Sequence, residues 1–359
     1  MKKVLMMLCA VAVLAMVGCS KDPTDPEHIN GGGGNGNGGG TDRPDPIPEG
    51  EGIFSPAQKI DTILVDGQVS EIWNWTDNKL MNVYSSEGDR SFTYNGWRVA
   101  TLSTIMQQVP VEATYTYSGD KLASVDAYSG NIQAVGIVFN HNAAGGKISD
   151  MSLNINSTML GLLSQLIGNG GIPGFTKGMS KFSIENTDFN ARLTWQGDNV
   201  SRMILDGSVS INTTIDEARN LFSMMNMDSL GSFNIDSMIS FFGPLLMDSN
   251  LVVTVQLADT TNYTYDNNNN PFYGYLGALD VTTFSANNAN TMQSSGVAQM
   301  SITANTLFGV QTIPIPFSIP IGTRSETYAY TYNNAGFPLT VTVTDGDNAS
   351  SVKHYKYKQ

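Results

Sequence analysis

Few residues in this chain of 359 could carry out chemistry. Its three histidines are His28, His141 and His354, and none has a second ligand at a fixed spacing, so a histidine-built metal centre has no support. Each reads as a solvated residue. Cys9 and Cys19 both fall within the first 20 residues, which leaves the body without a disulfide or a thiolate nucleophile. None of the serines sits in a Gly-x-Ser-x-Gly elbow. Paired carboxylates for sugar hydrolysis need closeness in space, and the sequence singles out no pair. Asp266 to Asn270 has the look of a calcium loop, but Pro271 stands where such a loop needs glycine and no glutamate occupies its twelfth position. That stretch reads as an Asn-rich turn, and Asp345-Gly346-Asp347 as a hairpin turn. The expectation is a protein that is not an enzyme and holds no cofactor.

The N-terminus carries an address. Lys2 and Lys3 precede an apolar run from Val4 to Val17, which leads through Gly18 to Cys19. The run is the length of a signal-peptide core and too short for a spanning helix. A small residue before a cysteine at this place resembles the lipobox of bacterial lipoproteins, with Met16 where leucine is usual. The resemblance implies that residues 1–18 are a signal peptide and that Cys19 is acylated, for example with palmitate. The partner at this end is then a membrane, reached through the acyl group. Ser20-Lys21-Asp22 resembles in part the export signal of surface lipoproteins in Bacteroidetes-type bacteria, which implies the outer membrane and the cell surface, with the periplasmic face as the alternative.

Residues 19–52 form the lipidated cysteine and its tether. Gly31 to Gly40 is glycine broken only by Asn35 and Asn37, and Pro44, Pro46 and Pro48 follow. Glycine is costly to order and proline blocks regular pairing, so this is a linker. A phosphate-cradling loop would need a strand before it and a helix after it, and neither is present.

The remainder, residues 53–359, has to position whatever function exists. Hydrophobic residues make up 41% of the chain, enough for a core, while charged residues reach only 14%, so its polar surface is mostly Asn, Ser, Thr and Gly. The net charge of −13 disfavours nucleic acid and polybasic docking on anionic lipid. Apolar residues alternate with period two from Ile60, and turn signals recur at Asp66-Gly67, Asn95-Gly96, Gly119-Asp120 and Gly197-Asp198. A loose repeat places an aromatic before a turn and an apolar residue after it: Trp75 and Leu80, Tyr117 and Leu122, Trp195 and Val200, with longer turns between Tyr265 and Phe272 and between Tyr332 and Phe337. These residues resemble the aromatic-turn-Leu repeats of β-meander lipoproteins of Bacteroidetes-type bacteria. Some of those belong to a domain family of unknown function described as porin-like in fold. The resemblance implies a fold and an address but no catalytic residues. A lipid anchor would be redundant on a membrane-spanning barrel, so no pore is expected.

The fold class expected is mainly β: a large curved antiparallel meander or barrel-like sheet, with short apolar helices on its concave face. The helical insertions fall near 157–168 and 214–248. Ser157 caps the first, with Met159, Leu162, Leu163 and Leu166 at helical spacing. Thr214 and Glu217 fit a capping box, and Asn234 caps a third helix. Met224, Met225, Met238 and Phe242 on these helices could line an apolar cavity for a lipid-like ligand. Trp73, Trp75, Trp97 and Trp195 could stack on a glycan if exposed, although on strands such residues are more often core, and Trp97 is the candidate taken forward. In the stretch from Ile313 to Ile321, Pro314, Pro316 and Pro320 cannot donate to a ladder, so it must be an edge strand or a polyproline-like strap. Together these readings give a lipid-anchored envelope protein with a structural or binding role. Carriage of an apolar ligand and surface glycan binding are the alternatives, and an envelope protein is a further possible partner.

Overall fold

The computed structural model describes residues 50–86, 88–106, 109–143, 146–156, 161, 183–218, 244, 246–278 and 280–358. Sixteen antiparallel strands follow one another around a closed barrel. They are β1 (Ile60–Val65), β2 (Gln68–Thr76), β3 (Lys79–Ser85), β4 (Arg90–Asn95), β5 (Arg98–Met106), β6 (Val109–Ser118), β7 (Lys121–Ser129) and β8 (Ile132–His141). The circuit continues with β9 (Ile148–Ile155), β10 (Ser183–Gln196), β11 (Asn199–Thr214), β12 (Leu246–Asn269), β13 (Asn287–Thr306), β14 (Gly309–Tyr332), β15 (Pro338–Asp345) and β16 (Ser350–Tyr357). Every strand pairs with its sequence neighbours, and β1 closes the circle on β16 through pairs such as Ile63 with Tyr355. The expected curved meander is therefore present, and it closes.

Local chemistry explains the connections. At the β1–β2 turn, Asp66 and Gly67 have φ of 49° and 85°, the left-handed pair that a two-residue hairpin needs and that Asp-Gly supplies. The aromatic repeat also acquires a physical reason. Near the end of each even-numbered strand an inward aromatic donates to a carbonyl near the start of the preceding odd-numbered strand. Trp75 Nε1 reaches Ile60 O at 2.7 Å, Tyr94 Oη reaches Leu80 O at 2.6 Å and Tyr117 Oη reaches Val99 O at 2.9 Å. Trp195 Nε1 reaches Ile148 O at 2.7 Å, Tyr265 Oη reaches Val200 O at 2.7 Å, Tyr330 Oη reaches Ala289 O at 3.0 Å and Tyr357 Oη reaches Pro338 O at 2.7 Å. The buried apolar residue after each turn brings its carbonyl to the aromatic of the next even-numbered strand. In β8 the corresponding residue is Phe139, which is buried and has no donor. These bonds line one rim, where strand pairs diverge and ladder bonds run out.

The barrel is uneven in height. β1 to β9 have 6 to 10 residues, whereas β10 to β14 have 14 to 24. β14 pairs with β15 only from Glu326 onward, and β9 with β10 only over four residue pairs, so β10 to β14 rise past the opposite rim as a tall wall. Ile313 to Ile321 lies on the free side of this wall, bonded to β13 alone, as its prolines require. The wall's inner face carries Val209, Ile211, Val253, Val255 and Ile302, all buried. Gly207 faces inward there because a Cβ would stand 2.3 Å from the Phe189 ring and 2.4 Å from Asp188 O.

The helical insertions, 157–168 and 214–248, lie largely outside the described residues. The described part of the second begins as expected. A helical turn spans residues 215–218, and the Thr214 amide and the Glu217 carboxylate stand 3.4 Å apart, as do the Glu217 amide and the Thr214 hydroxyl.

Candidate functional site

Hydropathy across the wall has one sign all the way round. Inward positions form a single core that includes Ile60, Trp73, Leu80, Phe92, Val125, Phe189, Val253 and Val341. Outward positions among the described residues are mostly polar, and many are hydroxyls that pair across strands, with single exposed apolar residues such as Ile72, Ile105 and Leu339 scattered between them. Thr93 with Thr101, Thr264 with Thr291 and Thr331 with Thr340 each lie at 2.7 Å, and all three pairs are exposed. Where an apolar residue is exposed, as at Ile72 and Val138, the same face carries Asn74 and Asn140. A transmembrane barrel has the opposite arrangement, an apolar belt outside and polar residues within.

Beneath the aromatic rim the interior is occupied by the connection between β12 and β13. The sequence reading of Asp266 to Asn270 as a turn is corrected here, since β12 continues through Asn269 and the chain then enters the barrel. The physical reason is a network that the Asn-rich stretch builds. Asp266 accepts from the backbone amides of Asn268 and Asn288 and from the Tyr332 hydroxyl. Asn270 donates to the carbonyls of Thr282 and Ser285 at 2.9 and 2.8 Å. The segment so held carries Phe272, Tyr275, Leu276 and Val281 inward. The Tyr275 ring lies 5.0 Å from Trp73, 5.2 Å from Phe54 and 6.0 Å from Phe92, and the Tyr115 hydroxyl donates to Leu276 O at 3.0 Å. Tyr115 and Tyr275 are 5% and 3% exposed, yet no described residue hydrogen-bonds to the Tyr275 hydroxyl. This segment is a plug.

Polar groups inside the barrel gather around the plug. Asp280 caps a 3-10 turn at Val281–Phe284, accepting from the Thr282 amide at 2.8 Å. Burial raises its pKa, and Glu326 adds to the rise, against the Thr282 hydrogen bonds and the charge of Lys353. Glu326 accepts from Arg324 and from the Tyr328 hydroxyl. Glu71 accepts from Trp73 Nε1 and pairs with Arg90, whose guanidinium lies 5.9 Å from the centre of the Tyr275 ring. Burial raises the pKa of Tyr115, Tyr263, Tyr275 and Tyr328, and that of Tyr265 to about 12, so these phenols stay neutral. Among the described residues, no three of His, Cys, Asp and Glu come together to hold a metal ion.

The residues singled out by sequence fall in different places. Cys19, Met224, Met225, Met238 and Phe242 lie outside the described residues. Trp97 is half-buried at the β4–β5 turn, with Lys79 Nζ 5.3 Å from its ring centre. Trp73 and Trp75 are core, as expected. His141 is not a solvated residue. Its Nε2 lies 2.9 and 3.0 Å from the two carboxylate oxygens of Glu51, because residues 50–58 fold across the aromatic rim. Glu51 also accepts from the Leu122 amide, beside the rim position where Phe139 has nothing to donate. His354 is exposed on β16. The plug was missed by the sequence reading; its one signal was apolar Phe272, Tyr275 and Leu276 after an Asn run, too long a stretch for a hairpin turn.

Fold and interior together define a class: a closed sixteen-stranded β-barrel with a plugged core and a polar outer face. No family model matches the chain, and no curated protein does. Among solved structures it is similar to a porin-like protein from Bacteroides uniformis, at 8% identity and a TM-score of 0.28, over 85% of this chain and 100% of that one. A superposition that loose carries no functional argument, so the reading rests on the residues above.

Proposed function

We propose that this chain is a lipid-anchored lipoprotein of the bacterial outer membrane, acylated at Cys19, whose barrel stands in water as a non-enzymatic binding or structural module. The observation that carries the reading is the sign of the barrel wall. With apolar side chains inside and hydroxyls outside, the barrel gains nothing from a bilayer and cannot hold itself there. A membrane address then needs a separate anchor, and the lipobox-like run ending at Cys19 supplies one. A single acyl chain binds a membrane only marginally, so stable anchoring implies the multiple acyl chains of a mature lipoprotein cysteine. The lack of a reactive constellation among the described residues favours binding over catalysis. The plug occupies the interior beneath the aromatic rim, which favours a ligand held on the outside over an apolar cargo at that end of the lumen.

The test is metabolic labelling with palmitate in a Bacteroidetes-type host, comparing the native chain with Cys19→Ala. The native protein should take up label and sediment with membranes after an alkaline carbonate wash. The variant should lose the label and move to the soluble fraction with its barrel still protease-resistant. A Cys19→Ala protein that stays in washed membranes after its signal segment has been cleaved, as read by N-terminal sequencing, would mean that the barrel itself is in the bilayer, and the proposal would fail.

A further inference from the structure

The outer face of the tall wall carries a transverse polar row that the barrel does not need. In the register of β10 to β14, Asp188 pairs with Ser208, Ser208 with Gln256, Gln256 with Gln299 and Gln299 with Ser318. Five side chains on five consecutive strands thus stand on one line, roughly 19 Å long at a strand spacing of about 4.8 Å. One step along the strands, Ala258, Val297 and Pro320 stand on a parallel line and are exposed, forming a low apolar ledge beside the row. Elsewhere on the barrel, outward hydroxyls find partners across the ladder, as Thr93 with Thr101 and Thr331 with Thr340 do. Here the carboxamides of Gln256 and Gln299 are exposed and directly opposite each other, and no described residue hydrogen-bonds to either.

The surface is hollowed at this row. Two shallow depressions of about 560 and 380 Å³ share Gln256 and Gln299 as lining residues. The larger has a structural cause. Between the pairs Gln299 with Ser318 and Ser301 with Pro314, three residues of β14 oppose the single residue Met300 of β13, and this bulge opens the ladder. The two depressions make one trough across the wall.

The lining selects a chemical class. Carboxamides both donate and accept, hydroxyls do the same, and Asp188 and Asp206 accept. Such a set matches vicinal hydroxyl groups. The Arg192 guanidinium is engaged with Asp206 at 2.7 Å, and two carboxylates at this end oppose an anionic ligand. The row itself is polar, and Leu257, Met300 and Ile315, which also line the depressions, are buried, so little apolar surface is offered to a lipid. A peptide would add at a sheet edge through backbone bonds, whereas this trough lies on a sheet face. An elongated ligand with hydroxyls along one side and C–H surface along the other fits both the row and the ledge.

We propose that this trough binds a neutral glycan chain, with Gln256 and Gln299 as its central hydrogen-bonding pair and Val297 against the sugar's apolar face. The assignment rests on the barrel standing in water, as proposed above. Among the described side chains none that lines the trough is aromatic, so binding depends on hydrogen bonds and on many contacts along a polymer, and short oligosaccharides bind weakly.

The test uses the full-length protein in detergent, run in native gels containing amylopectin, mannan, xylan or mixed-linkage β-glucan, with chondroitin sulfate as the charged control. At least one neutral polysaccharide should retard the protein, and Gln256→Ala with Gln299→Ala should weaken the retardation at least tenfold without changing the melting temperature. Thr331→Ala, elsewhere on the outer face, should have no effect. Retardation by none of the neutral polymers, by chondroitin sulfate alone, or undiminished in the double variant would overturn the assignment. Palmitate labelling of the same preparations separates the two proposals. A labelled protein that is not retarded refutes the trough alone, and an unlabelled one that is retarded refutes the anchor alone.

Discussion

Removing one hydroxyl should have opposite effects at two neighbouring places inside the barrel. Tyr115 and Tyr275 are both buried, but only Tyr115 has a partner, the Leu276 carbonyl at 3.0 Å. Tyr115→Phe removes a wall-to-plug hydrogen bond and leaves a buried carbonyl short of a donor, which costs about 1–2 kcal/mol. Tyr275→Phe removes a buried hydroxyl that no described residue satisfies. Relief of that desolvation penalty, reduced by the small void left behind, stabilises by about 0.5–1.5 kcal/mol. In a domain of this size 1 kcal/mol moves the melting temperature by roughly 2–3 °C. Tyr115→Phe should therefore melt about 2–5 °C lower and Tyr275→Phe about 1–4 °C higher, followed by circular dichroism. Guanidinium titrations should move in the same directions with unchanged slopes, since neither change alters the surface exposed on unfolding. Equal destabilisation by both changes would refute the reasoning, because it would mean that the Tyr275 hydroxyl is satisfied in solution and that the plug is not packed as described.

Three further outcomes follow from the same interior. Gly207→Val sets a Cβ against the Phe189 ring and the Asp188 carbonyl, so it should destabilise by about 1–3 kcal/mol or more, read as a lowered denaturation midpoint. A midpoint at the native value would show that β10 and β11 are looser than described. Asp280 is raised by burial, so the folded state holds its proton more tightly than the unfolded one, and stability falls as pH rises from the ordinary carboxylate range through the raised value. Asp280→Asn keeps the cap acceptor and removes the charge. It should flatten the fall of stability with pH above the ordinary carboxylate range and raise stability at neutral pH, and an unchanged slope would refute the role given to Asp280. The interior tyrosines are raised as well, so their contribution is complete below about pH 10 and is lost as pH climbs above it. Absorbance of phenolate against pH should show a late, cooperative step that coincides with unfolding, and a gradual titration centred near pH 10 would contradict this.

The strands were readable because their signals are local. Period two from Ile60, left-handed turn residues such as Asp66-Gly67 and the aromatic-turn-apolar repeat each reside within about ten residues. The prolines of β14 marked a free side for the same reason, since a missing amide donor is a property of the residue itself. Closure was not readable, because the pairing of β1 with β16 joins residues nearly the whole barrel sequence apart and leaves no mark on either strand. The plug escaped because its Asn-rich lead imitates a hairpin turn, and only the contacts of Asp266 with Asn288 and Tyr332 reveal a different role. The polar row on the tall wall was equally hidden. Asp188, Ser208, Gln256, Gln299 and Ser318 are ordinary outward residues in five separate stretches, and they become a line only through the register of four ladders. Trp97 drew attention as a tryptophan able to stack on a sugar, and the structure sets Lys79 against its ring.

The seam between β1 and β16 imposes an order of events on biosynthesis. The two strands are separated by roughly 290 residues, so at about 5–20 residues per second the partner of β1 leaves the ribosome some 15–60 s after β1 does. Throughout that interval β1 offers an open row of amides and carbonyls to any other chain. Holdase chaperones that shield such rows during export should therefore matter more for this protein than for one whose first strand pairs locally. A chain shortened by β16 alone would keep fifteen strands' worth of sequence and still accumulate as aggregates rather than as a slightly smaller barrel.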